Sequence, residues 1–339
     1  MIQATQQTES RLLQHGMTVV LVLLLAPMLI WWFLSRPTGL ASPLEIAIPS
    51  GMTAHDIGQL LKEKGLVRSA KVFAWTARLH GHSEDLEAGL YLLNGTLTTP
   101  EILRELLKAP LQLRRVTIPE GLSSQQIAQV LAQQELVDSS RFVALVQDKG
   151  FVTRLGLDAP SAEGYLFPQT YMFNRTTTEE EIIRRMVEEF DKVFTGAYYA
   201  QLDSLRLTRH QAITLASIVE REAVVPRERP IIAGVFLGRL EKGMMLESCP
   251  TVEYALGYHK DHLDNNDLQV ESPYNTYKYP GLPPGPIANP GQAAIQATLY
   301  PIRTDYVYFV ARGDGTHIFS RTNDQHEAAK RSVRGAARL

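Results

Sequence analysis

Residues 208–224, TRHQAITLASIVEREAV, set two glutamates, Glu220 and Glu222, into an otherwise largely apolar stretch. Ile213, Leu215, Ala216, Val219 and Ala223 form an apolar face at helical spacing, and Thr208 is placed to cap the first turn. At roughly 100° of rotation per residue the two carboxylates point to different faces. Glu222 shares its face with Leu215, Ile218 and Val219, whereas Glu220 lies nearer the small Ala216. A carboxyl flanked by bulky aliphatic groups loses hydration, which favours its neutral form. A carboxyl still protonated near neutral pH is what a general acid requires. The spacing equally allows an exposed glutamate at a helix end, paired with Arg221 or Arg227.

A second chemistry-bearing stretch is SPYNTYKYPGLPPGPIANPG, residues 272–291. Its prolines and glycines exclude regular structure, yet proline stiffens a loop enough to hold side chains in place. Tyr274, Asn275, Thr276 and Tyr277 bring hydroxyl, amide and aromatic faces together. That mixture suits a wall for sugar rings, which are bound by hydrogen bonds and by stacking; a plain rigid surface loop is the other reading. Upstream, residues 236–255 finish a helix at Gly243 and are expected to turn at Pro250, just before Thr251.

Near the end, Tyr306 to Ala311 alternates as a strand, Gly313-Asp314-Gly315 turns, and Thr316 to Ser320 returns. His317 sits on that return strand, open to a role in a groove or to a structural hydrogen bond. His317 and His326 fit no zinc spacing, and no cysteine or carboxylate completes a set, so no metal and no cofactor are expected. The single cysteine, Cys249, cannot form an internal disulfide. A net charge of −2 gives no basic surface for nucleic acid.

The elements that must position these groups carry an internal repeat. Ile46-Ala-Ile-Pro-Ser-Gly-Met-Thr returns at Val116 as Val-Thr-Ile-Pro-Glu-Gly-Leu-Ser. Ile57, Gln59, Leu61, Leu66, Val67 and Ser69 return as Ile127, Gln129, Leu131, Leu136, Val137 and Ser139. Each copy reads strand, Pro-x-Gly turn and helix, with Thr53 or Ser123 as cap and a second helix starting near Ser69 or Ser139. Similar tails follow at Glu87 and Glu163. Two related α/β units are therefore expected, at about 44–110 and 111–200, with residues 111–335 as the catalytic region.

Ahead of them, residues 17–34 carry no charge and reach roughly 27 Å as a helix, close to the thickness of a membrane's hydrocarbon core. The expectation is an uncleaved single-span anchor, with residues 1–16 as a tail and 35–43 as a linker. Arg11 and Arg36 stand on opposite sides of it and leave its orientation open.

Together these segments resemble the endolytic murein transglycosylase (YceG-like) family. The resemblance is carried by the Ile-Pro-x-Gly repeat, Glu163-Gly-Tyr-Leu-Phe-Pro, Ala216-Ser-Ile-Val-Glu-Arg-Glu, Pro250-Thr-Val, Ser272-Pro-Tyr-Asn-Thr-Tyr, Gly281-Leu-Pro-Pro-Gly-Pro-Ile and Tyr308-Phe-Val-Ala. It implies an α+β protein with one N-terminal transmembrane helix, a LysM-like subdomain over 44–110 and a mixed α+β catalytic domain. It implies an inner-membrane location with the catalytic domain in the periplasm, glycan strands of peptidoglycan as substrate, and peptidoglycan synthases as neighbours. The family's catalytic glutamate falls on Glu222. The reaction implied is cleavage within a strand of the β-1,4 bond from N-acetylmuramic acid to N-acetylglucosamine, leaving a 1,6-anhydro end, with a role in ending strand elongation. Tyr274, Asn275, Thr276, Tyr277, His317, Thr251 and Glu220 are the expected substrate contacts. Glu247-Ser248-Cys249, Gln169 and Glu327 depart from the family's usual residues. A lysozyme-type hydrolase and a non-catalytic peptidoglycan-binding scaffold are the competing readings.

Overall fold

A computed structural model gives the fold and describes residues 25–336 except for 27, 40, 41, 109, 111, 112, 176 and 261. Of the expected span, residues 17–34, the described part comprises Leu25, Ala26 and residues 28–34, all helical. The remainder of that segment, and the tail ahead of it, lie outside the described residues. Among the described residues no helix is long and apolar enough to cross a membrane.

The chain divides into two compact units, Met1–Gln112 and Leu113–Leu339. The first runs β1 (Leu44–Ile48), α1 (Ala54–Glu63), α2 (Ala70–Leu79), β2 (Gly89–Leu93) and α3 (Thr99–Leu106). β1 and β2 pair antiparallel with Ile46 opposite Tyr91. Alternate strand residues point to one face, so Ile46, Ile48, Tyr91 and Leu93 are buried and join Ile57, Leu61, Phe73 and Ile102 in one core. Thr53 starts α1 through a reciprocal exchange, accepting from the Asp56 N–H while Asp56 accepts from the Thr53 N–H.

The second unit opens in the same order: β3 (Leu113–Thr117), α4 (Ser124–Gln133), α5 (Ser139–Gln147), α6 (Lys149–Arg154), β4 (Thr170–Asn174) and α7 (Glu179–Val193). Val116 stands opposite Tyr171 as Ile46 stands opposite Tyr91, so the sequence repeat is a repeat of structure with α6 added. α5 starts at Ser139 as expected, with Asp138 as its cap; the Asp138 carboxylate accepts from the Arg141 N–H at 2.8 Å. Then come α8 (Gly196–Leu205), α9 (Arg209–Glu222), α10 (Arg229–Glu241), α11 (Cys249–Leu256), α12 (Gln292–Leu299), β5 (Tyr308–Ala311), β6 (His317–Ser320) and α13 (Asn323–Ala336). The described residues form an α+β protein with three two-stranded antiparallel sheets.

α9 is the central element of this unit because it serves two cores. Ala212, Ile213 and Ala216 pack into the core built on β3, β4, α4 to α8 and α12. Leu215, Ile218, Val219 and Ala223 face a second core with Ile232, Phe236, Leu246 and Ile287. Residues 212–219 are buried without a break, and the helix reaches the surface at its first and last turns. Thr208 caps the helix as expected, in a reciprocal pair with Gln211.

Residues 272–291 form no regular element, also as expected. Long-range bonds hold them instead. His210 Nε2 lies 2.9 Å from the Pro284 carbonyl, and the Ile287 N–H donates to Ser217 Oγ at 3.0 Å. Pro286 presses against Gly164. There the φ of +88° disfavours any side chain, and a Cβ would lie 2.4 Å from the Pro286 ring. Pro250 corrects an expectation. It lies in the first turn of α11 rather than at a turn, because its fixed φ and missing N–H suit a helix start.

Candidate active site

Glu222 is the last residue of α9 and emerges partly exposed from the fully buried Leu215, Ile218 and Val219. Its Oε1 accepts a 2.6 Å hydrogen bond from Ser248 Oγ. Its Oε2 takes no hydrogen bond among the described residues, yet is not a buried orphan atom, so it opens to the surface. Burial pushes the Glu222 carboxyl above the usual range, and Glu253 adds to that; Ser248, His317 and Arg221 pull the other way. Desolvation is the largest effect, which gives Glu222 the property wanted of a proton donor.

Ser248 occupies the N-cap position of α11 without a side-chain capping bond and is buried. The segment leading to it is held by Arg239 of α10. That guanidinium donates to the Val307, Met245 and Leu246 carbonyls at 2.6, 2.8 and 3.0 Å and to Glu247 Oε2 at 2.9 Å. Beside Ser248, the Cys249 thiol lies 3.2 Å from the Tyr277 hydroxyl. Burial raises both groups' pKa values, and the charge of Glu222 adds to each. Glu222, Ser248, Cys249 and Tyr277 thus form one neighbourhood.

The other expected contacts divide sharply. Tyr274 and Tyr277 keep part of their surface, and the Tyr274 ring rests on Tyr254 at 4.8 Å between centroids. Asn275, Thr276 and Thr251 have none to offer a ligand, being 0%, 1% and 0% exposed. Asn275 spends its amide on the Leu268 and Val270 carbonyls and accepts from the Tyr277 N–H, all at 3.0 Å, so it staples the loop. Thr251 and Thr276 bond each other and Ser248. Glu220 likewise is spent: one oxygen faces Arg229 at 3.3 Å and the other accepts from the Gly291 N–H at 2.9 Å. These four are supports in place of the direct sugar contacts expected from sequence. His317 is also tied, its Nδ1 lying 2.8 Å from Glu228 Oε2, although it remains near enough for its charge to favour the Glu222 carboxylate.

Sequence reasoning missed Ser248, Glu228, Glu253 and the pair Glu163–Asn289. Ser248 had a signal, since serine just ahead of a Cys-Pro start reads as a helix cap. Glu163 is buried and accepts from Ser124 N and Oγ and from Asn289 Nδ2. Burial raises its pKa against the pull of those donors.

Two clefts draw lining residues from the stretch around Ser248. One, of about 450 Å³, is lined by Gln126, Gln129, Arg221, Pro250, Glu253 and Tyr254 among others. The other, of about 370 Å³, is lined by Met244, Glu247, Tyr308, His326 and Lys330 among others. Glu222 lines neither; its neighbours Arg221 and Glu253 border the first, and Glu247, next to Ser248, borders the second. Among the described residues no cluster of His, Cys, Asp or Glu suits a metal ion. Chemically, the arrangement offers one partly exposed carboxyl of raised pKa whose neighbours border polar clefts.

The YceG-like family model matches residues 46–332, and the chain belongs to that family. It is 35% identical over 303 residues to the endolytic murein transglycosylase of Bacillus subtilis (strain 168), covering 85% of this chain and 84% of that one. It is 33% identical over 314 residues to the endolytic murein transglycosylase of Streptococcus pneumoniae serotype 2, covering 83% of this chain and 57% of the longer relative. The crystal structure of a yceG-like protein from Listeria monocytogenes superposes with a TM-score of 0.59 at 34% identity, over 84% of this chain and 98% of that one.

Proposed function

We propose that this chain is an endolytic peptidoglycan transglycosylase in which Glu222 is the single acid and base. The observation that carries the reading is a partly buried carboxyl, raised in pKa by desolvation, with one oxygen free of hydrogen bonds among the described residues and its neighbours Arg221 and Glu253 bordering a polar cleft. The names of its relatives in Bacillus and Streptococcus support the same reading.

Protonated Glu222 gives its proton to the glycosidic oxygen as the bond to the muramyl C1 breaks. The resulting carboxylate takes the proton from the muramyl 6-hydroxyl as that oxygen closes on C1. The products are a chain ending in 1,6-anhydro-N-acetylmuramic acid and a chain with a free N-acetylglucosamine 4-hydroxyl. No water is consumed, and the carboxyl returns to its starting state. This differs from glycosidases that divide the work between two carboxyls. Tyr274 and Tyr277 offer partly exposed rings for stacking. The same proposal includes a membrane anchor over residues 17–34, a periplasmic catalytic region at 111–335, a LysM-like module at 44–110 and peptidoglycan synthases as neighbours, supported by the uncharged segment and by the family resemblance.

The test is digestion of purified glycan strands in water enriched in heavy oxygen, followed by mass spectrometry of the new ends. Anhydro ends lacking solvent oxygen are expected. Reducing ends that carry it would make the enzyme a hydrolase, and intact strands would leave a binding protein.

A further inference from the structure

Ser248 touches the candidate carboxyl and is itself held by a closed set of hydroxyl bonds whose donor directions the geometry fixes. Thr251 Oγ1 lies 2.7 Å from the Ser248 carbonyl, which can only accept, so the single Thr251 proton goes there. Thr251 and Thr276 hydroxyls lie 2.8 Å apart, and Thr276 must therefore be the donor. Thr276 Oγ1 in turn accepts from the Ser248 N–H at 3.0 Å. The ring closes through the Ser248 backbone and leaves its side-chain hydroxyl unclaimed except by Glu222 Oε1 at 2.6 Å. All three residues are buried, at 0–1% exposure.

We infer that Ser248 is a positioning residue for the reaction: its hydroxyl, oriented by the Thr251–Thr276 ring, occupies Glu222 Oε1 and reserves Oε2 as the oxygen that gives and takes the proton. The inference rests on the proposed role of Glu222. A hydroxyl donor to Oε1 persists through both protonation states, since Oε1 accepts either as a carboxylate oxygen or as the carbonyl oxygen of the acid. The bond is stronger to the carboxylate, because charge-assisted hydrogen bonds are shorter and stronger. Ser248 therefore holds the carboxyl plane fixed through the cycle and eases the moment when the proton has left. It also offsets the desolvation that favours the neutral form. The groups facing Glu222 whose charge bears on it are Glu253 and Cys249 on α11, His317 on β6, Tyr277 in the proline-rich loop and Arg221 on its own helix.

The test uses the full-length protein with purified glycan strands, measuring kcat and KM across pH for Ser248→Ala, Ser248→Thr and Thr251→Val. Loss of a hydrogen bond to a charged group predicts a fall in kcat of roughly 10- to 100-fold for Ser248→Ala. KM should stay within about twofold, because an interaction made chiefly with the developing carboxylate changes kcat rather than uniform binding. The alkaline limb of kcat should move to higher pH, since removing the donor destabilises the carboxylate. Ser248→Thr keeps a hydroxyl and should restore both rate and limb. Thr251→Val, similar in shape, loosens the ring and should move the limb the same way by less. A uniform fall at every pH, with the limb unmoved in Ser248→Ala and Thr251→Val, would overturn the inference in favour of a merely structural serine. Should Ser248→Ala fail to fold, an unshifted limb in Thr251→Val would overturn it equally. An active Glu222→Gln enzyme would instead sink the reading of Glu222 on which this rests, so the two failures are distinguishable.

Discussion

Replacing Asn289 by alanine should loosen the second unit by several kcal/mol without touching the carboxyl chemistry. Asn289 is 1% exposed and spends its whole amide. Its Oδ1 accepts from the Gly164 and Leu166 N–H groups, each at 2.9 Å, and its Nδ2 donates to the Leu122 carbonyl at 2.9 Å and to Glu163 Oε1 at 2.8 Å. Leu122 keeps a partner in the variant, because its carbonyl also accepts from the Asn289 backbone. Gly164 and Leu166 do not, and Glu163 loses one of the donors that let a buried carboxylate exist. Two orphaned N–H groups at about 1–3 kcal/mol each, with a weakened Glu163, sum to roughly 3–5 kcal/mol. The chain itself supplies the assay. Trp31, Trp32 and Trp75 all lie in the first unit, so tryptophan fluorescence reports that unit alone, while circular dichroism reports both. With a urea slope of about 3 kcal/mol per M, the dichroism transition assigned to the second unit should fall by about 1–1.7 M and the fluorescence transition should stay. A shift below about 0.3 M would refute the reasoning, since water would then be replacing the amide at little cost.

Three further outcomes follow from named contacts. Glu222 has a raised folded-state pKa, so the fold favours its protonated form and loses stability as pH rises from the ordinary carboxyl range through that raised value. Glu222→Gln removes the charge, and its melting temperature should match wild type at low pH and exceed it above that window; a parallel pair of profiles would contradict the burial argument. Gly234→Ala would set a Cβ 2.0 Å from the Ile302 carbonyl oxygen, a backbone atom whose residue is already tied down by the Ile302–Pro230 bond, and should destabilise the second unit by about 3 kcal/mol or more in the same urea assay. Asn275→Ala frees the loop carrying Tyr274 and Tyr277, and should raise KM for glycan strands while the position of the kcat pH limbs stays fixed.

Local sequence signals carried much of this structure. Thr208 three residues ahead of Gln211, and the apolar spacing after it, are enough to define α9, because capping and amphipathic periodicity act within one helix. The proline-rich loop was legible as a loop for the same reason. Pro250 misled because proline both breaks helices and starts them, and the choice depends on what caps the first turn. The roles of Asn275, Thr276, Thr251 and Glu220 were not legible. Each is a polar residue whose type suits sugar binding, and only its tertiary partners show that its valences are already used. The bond from Ser248 to Glu222 joins residues 26 apart, and that from Asn289 to Glu163 joins residues 126 apart. No periodicity encodes such pairings. They arise because α9 is buried on both sides and brings distant loops to its last turn.

The central claim is that one carboxyl, Glu222, supplies both proton transfers. The most direct measurement is the turnover of Glu222→Gln on purified glycan strands beside wild type, with folding checked by dichroism. General acid-base catalysis contributes about 10²- to 10⁴-fold, so a folded variant should lose at least that much in kcat and still bind strands. A folded Glu222→Gln enzyme within about tenfold of wild type would contradict the account and move the chemistry to another group.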